Sequence, residues 1–147
     1  MRERLEKSVD IQYYKGQIIL LSCVAGLISL CMLLICLALQ TLHFALVILV
    51  LLLIWAPFVI HYSLKIREIL QNSEGYRIVE GVLSEVHTDI ARTFYFIARL
   101  ENGICVETNS VFMVGGLLAP RVDDYSNKRV EIAYCRESGS AVVLNLL

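Results

Sequence analysis

Between Lys15 and Lys65 the chain carries no Asp, Glu, Lys or Arg. A water-exposed segment of that length needs a charged or polar face, so this absence excludes an ordinary soluble fold for the stretch. A hydrocarbon core of roughly 30 Å takes about 20 apolar residues of helix, so the run supplies two crossings rather than one. The same absence speaks against a substrate or ion path through these helices alone, since such a path is normally marked by an intramembrane carboxylate or Arg. A secretory signal is not expected either, because the run far exceeds a signal's apolar region and no A-x-A-like site follows it.

Other absences narrow the chemistry. There is no CxxC among the five cysteines, of which Cys23, Cys31 and Cys36 fall in the first apolar segment and Cys105 and Cys135 near the C-terminus. Without close Cys/His pairing no zinc site is expected, and the cysteines read as small apolar packing residues. His43 and His61 are too far apart along the chain to share a metal, and His87 falls in a polar region with Glu85 and Asp89. The chain has no Gly-rich phosphate loop, no G-x-S-x-G and no paired-carboxylate pattern, so neither an enzyme nor a bound cofactor is expected. A net charge of −1 lacks the basic surface of a general nucleic-acid binder, so no nucleic acid is expected as a partner.

What is present is apolar. Hydrophobic residues make up 57% of the chain and its mean hydropathy is +0.66, which fits a membrane class. Gln40, Thr41, Leu42 and His43 interrupt the uncharged run, dividing it into transmembrane helices at 18–39 and 44–64 joined by a short turn. Before them, residues 1–17 form an amphipathic flank with Leu5, Val9 and Tyr13 on one helix face and Tyr13 and Tyr14 at the interface. Ser22, Ala25, Gly26 and Ser29 give the first crossing a stripe of small residues suited to close helix packing, against the second crossing or a second copy. Pro57 is expected to kink the second crossing. Four basic residues precede the first helix, three (Lys65, Arg67, Arg77) follow the second and none lies in the turn, so both termini are predicted to be cytoplasmic. A reducing compartment then leaves Cys105 and Cys135 without a disulfide.

The hairpin with its cytoplasmic helix extension runs over 18–70, residues 71–77 are a linker, and 78–147 read as a small β domain. Beyond the linker the hydrophobic period changes to two, which predicts strands at 78–87, 92–101, 104–109, 129–135 and 141–146. Asn102-Gly103 predicts a two-residue type I′ hairpin between the second and third strands, and Glu137 to Ser140 predict another between the fourth and fifth. Five short strands suit a small, partly closed barrel better than a sandwich. The predicted fold is therefore membrane α + β, a two-helix transmembrane hairpin followed by a small five-stranded antiparallel, barrel-like domain.

Val111 to Pro120 departs from the strand pattern, with ten uncharged residues around a Gly115-Gly116 pair. It reads as a buried connection or as an apolar loop facing lipid or a partner. The candidate contact residues are Val111, Phe112, Met113, Val114, Gly115, Gly116, Leu117 and Leu118.

Glu80-Gly81-Val82, Glu101-Asn102-Gly103, Val130 to Tyr134 and Ser140 to Leu144 give the chain a layout that resembles uncharacterised bacterial membrane families with a helical hairpin before a small β domain. More distantly it is similar to the NfeD-like proteins, a resemblance that implies an oligonucleotide-binding-type barrel and no catalytic residue. The expectation is a multi-pass protein of the bacterial inner (plasma) membrane whose β domain serves as an interaction or assembly module. Its partners would be the lipid bilayer and another membrane protein or a second copy. The alternative is a small accessory subunit of a transport or channel complex.

Overall fold

The computed structural model describes residues 1–39, 43–88, 93–114 and 119–147. These fall into two compact units, one of Met1–Tyr13 with Ile66–Leu147 and the other of Tyr14–Lys65.

The second unit is helical. The helix α2 (Val9–Leu39) follows a short α1 (Arg2–Glu6), and α3 (His43–Gln71) carries Pro57 in its interior. Both long helices are long and apolar enough to cross a membrane. Leu27, Leu37 and Leu53 are each more than 60% exposed, so the apolar surface is turned outward rather than into a protein core. A half-buried stripe runs down α2 through Ile18, Ser22, Ala25, Ser29, Met32 and Cys36, and another down α3 through Ile48, Leu51, Trp55, Val59 and Tyr62. Their spacing, mostly alternating three and four, is that of a helix–helix seam. Tyr14 and Tyr62 stack with ring centroids 5.9 Å apart.

In the first unit, β-branched and aromatic residues at period two give one antiparallel sheet in the order β3-β2-β1-β4-β5. Its strands are β1 (Tyr76–Thr88), β2 (Phe94–Leu100), β3 (Cys105–Glu107), β4 (Arg129–Cys135) and β5 (Ala141–Leu146), with a short α4 (Val122–Tyr125) before β4. The long β1 organises the sheet, because its first half pairs with β4 and its second half with β2. Gly81 lies in the overlap, facing both Leu100 and Val130, and a Cβ there would come within 3.0 Å of the Arg99 carbonyl oxygen. Just beyond, the register shifts between Leu83 and Glu85, a bulge that turns the strand.

The barrel expectation is corrected here: the sheet is open, with β3 and β5 as its edges. Among the described residues those edges meet only at an isolated bridge between Thr108 and Ala141. The predicted third strand, 104–109, shortens to three residues, too few for a closing ladder. Thr108 is held by β2 instead, its N–H donating to the Phe96 carbonyl while its hydroxyl oxygen accepts the Phe96 N–H, both at 2.9 Å.

The turn at Asn102-Gly103 also differs from a two-residue type I′ turn. Among the described residues only Asn127, Gly103 and Gly139 have positive φ, so Asn102 does not. Gly103 N–H donates to the Leu100 carbonyl and Leu100 N–H to the Ile104 carbonyl, each at 2.9 Å, which makes a three-residue loop with glycine in the left-handed position.

Leu83, Phe96, Ala98, Leu100, Val106, Val130 and Ile132 form the core. β5 is buried at four consecutive residues, Ala141 to Leu144, so both its faces are covered. The N-terminal segment contributes to that cover. α1 lies against β5, Leu5 is fully buried, and Arg4 pairs with Glu131 of β4 at 3.0 Å.

Candidate functional site

Of the flank expected at 1–17, residues 1–13 belong to the β unit. Ser8 starts α2 by accepting the Ile11 N–H on its hydroxyl at 3.3 Å, an N-cap that places Asp10 in the first turn. Asp10 is wholly buried. Its Oδ1 accepts from the Asn109 side-chain amide at 2.6 Å and its Oδ2 from the Val143 backbone N–H at 3.0 Å. The carboxylate therefore bridges the chain just past β3 to β5, next to the Thr108–Ala141 bridge. Burial raises its pKa from 3.8 to about 7 against the opposing effect of these donors.

The uncharged segment after β3 splits into a root and an exposed residue. Val111 and Phe112 are fully buried. Phe112 exchanges backbone bonds with Phe94, donating at 3.1 Å and accepting at 2.8 Å, and its ring packs on Phe96 and Tyr125. Met113 N–H then donates to the Pro120 carbonyl at 2.9 Å, and Val122 N–H to the Met113 carbonyl at 3.0 Å. These two bonds close a neck. Val114, immediately beyond it, is 67% exposed, while Gly115, Gly116, Leu117 and Leu118 lie outside the described residues.

Of the small residues on α2, Ser22, Ala25 and Ser29 lie on the half-buried stripe. Gly26 is exposed, and a Cβ added to it would meet nothing within 4 Å.

A cleft of about 370 Å³ opens beside Asn72, Glu74, Gly75, Cys135, Glu137 and Ser138. Hydrogen bonds from the Ser138 side chain and backbone lower the Cys135 thiol's pKa, but the residue is only 3% exposed. Ser138 makes the largest contribution to that shift. Cys105 is exposed at the sheet edge. His87 stands on β1, stacked on Tyr95 at 5.4 Å with its Nε2 3.6 Å from Glu85. Among the described residues no three His, Cys, Asp or Glu side chains come together in a way that would hold a metal.

The outer sheet face carries ions. Arg129 reaches Glu80 at 3.1 Å and Glu101 at 3.7 Å. These pairs are solvent-exposed and contribute little to stability.

Compared with protein-family models, curated proteins and solved structures, the chain matches none.

Proposed function

We propose that this chain is a membrane-anchored interaction module, in which a helical hairpin with both termini cytoplasmic holds a β domain that docks on an apolar surface of another membrane protein. The anchoring is supported by two helices of sufficient length and apolarity with outward-facing leucines. The orientation is supported by seven flanking basic residues against none in the connection. The observation that carries the docking reading is the neck at Met113: Val111 and Phe112 are rooted in the core, yet Val114 stands exposed at the start of an uncharged run. A connection needed only to join two strands would be polar beyond its root, and an exposed apolar cluster marks a contact site.

The test is a photo-crosslinking side chain placed at Val114 in the full-length protein in native membranes, with Glu137 as the control position. A discrete protein adduct at Val114, absent at Glu137, is expected. Lipid adducts alone, or equal labelling at both positions, would overturn the docking reading.

A further inference from the structure

The two edges of the open sheet differ in cover. Along β5 the N-terminal segment supplies it, since α1 lies against the strand and Asp10 accepts the Val143 N–H at 3.0 Å. Along β3 the backbone is bare. Thr108 N–H donates to the Phe96 carbonyl and Leu100 N–H to the Ile104 carbonyl, each at 2.9 Å. Antiparallel bonding alternates along a strand, so residues 104, 106 and 108 turn their backbone groups toward β2 while Cys105 and Glu107 turn theirs away from it. Among the described residues no backbone group bonds to those outward N–H and carbonyl groups, and both residues are exposed. At Thr108 the edge meets Ala141, so the bare window is the three residues of β3.

We propose that this window seats a second copy of the chain, with β3 pairing antiparallel to the partner's β3 about a two-fold axis at Val106 and joining the two sheets into one. In that register Cys105 stands opposite the partner's Glu107, and Glu107 opposite the partner's Cys105. Each opposed pair exchanges two N–H···O bonds, which satisfies all the outward groups of the window. The two-fold axis makes the surface self-complementary, so the assembly closes at two copies.

Charge selects this occupant. On the outer sheet face Arg99 stands opposite Cys105 and Ile97 opposite Glu107. Arg99 and Glu107 are both exposed, and neither makes an ion pair among the described residues. An exposed acid on an edge strand repels chance pairing with apolar or acidic strands. Across the two-fold axis, however, only the small Cys105 separates Arg99 from the partner's Glu107. Each copy thus brings the base that the other's acid lacks. The contact uses none of the residues at the Val114 neck, so it is independent of docking there.

The test uses two differently tagged full-length chains co-expressed in native membranes, one with its own Cys105 and the other carrying Cys105→Ser with Glu107→Cys. Opposed residues of a hydrogen-bonded pair lie about 5.5 Å apart, within disulfide range, so mild oxidation should join the two tags. Glu85→Cys in place of Glu107→Cys, on the exposed part of β1 two strands in from the edge, should not join them. Arg99→Glu in both chains should lower the disulfide yield about two- to fivefold, the scale of an exposed cross-strand charge pair. Adding Glu107→Arg to the chain that keeps Cys105 should restore it, because the new base faces the partner's new acid. A yield no higher than with Glu85→Cys, or one indifferent to Arg99→Glu, would overturn the pairing.

Discussion

Phe112 meets Phe96 edge to face, with ring centroids 4.7 Å apart and ring planes at 83°. Both residues are fully buried, so the segment beyond β3 is fixed in the core through an aromatic pair before it reaches solvent. Such pairs contribute about 0.5–1.5 kcal/mol beyond their burial.

Phe112→Ala should therefore destabilise the β domain by about 3–5 kcal/mol, read as a shift in the denaturation midpoint of the full chain. The double substitution Leu117→Ser with Leu118→Ser should leave that midpoint nearly unchanged and weaken the Val114 crosslink. An equal loss of stability from both changes would place the loop's leucines in the core.

The proposed orientation makes Thr41 and Cys105 differ in accessibility. In intact cells an impermeant thiol reagent should modify T41C and spare Cys105, although Cys105 is exposed on its own domain. Labelling of Cys105 before lysis would reverse the topology.

Two glycines should respond to alanine for different reasons. At Gly81 the new Cβ would press on the Arg99 carbonyl oxygen at 3.0 Å and the Leu100 side chain at 3.1 Å, so strands must shift. A loss of about 1–3 kcal/mol is expected. At Gly103 the space is open but φ is +79, so the cost is conformational, about 1–2 kcal/mol. Urea denaturation measures both losses and amide exchange distinguishes them, since only Gly81→Ala should alter exchange across β1 and β2.

On α2, Ala25→Leu enlarges a residue of the half-buried stripe and should lower thermal stability in detergent. Gly26→Leu projects into open space and should not. The opposite ranking would show that the stripe faces lipid.

The sequence made the local parts of this fold legible. Alternation along Phe94 to Leu100 and Val130 to Tyr134 is visible in single strands, and a run without charge is visible without any partner. The N-terminal contribution was not legible, because an Asp shortly before an apolar helix reads as a solvated interface residue. Its burial depends on Asn109 and Val143, 99 and 133 residues away. The Leu5, Val9 and Tyr13 spacing signalled a buried face but not what covers it. The partly closed barrel failed for a related reason: strand content was readable, whereas the shortening of β3 follows from Thr108 bonding back to Phe96. In the uncharged segment, composition could not separate the buried Val111 and Phe112 from the exposed Val114, since all three are apolar.

The bond from Asp10 to Val143 joins residues 133 positions apart in the chain, which imposes an order on biogenesis. During synthesis residues 1–13 emerge long before their place on β5 does. Under the proposed topology the hairpin is handed to the bilayer while the β domain is still incomplete, so insertion and domain assembly are separate events in time. Until the last strand leaves the ribosome, Leu5 and Ile11 have no permanent shelter. A chain truncated before Val143 would therefore lose the Asp10 bond and the cover that β5 gives the N-terminal segment.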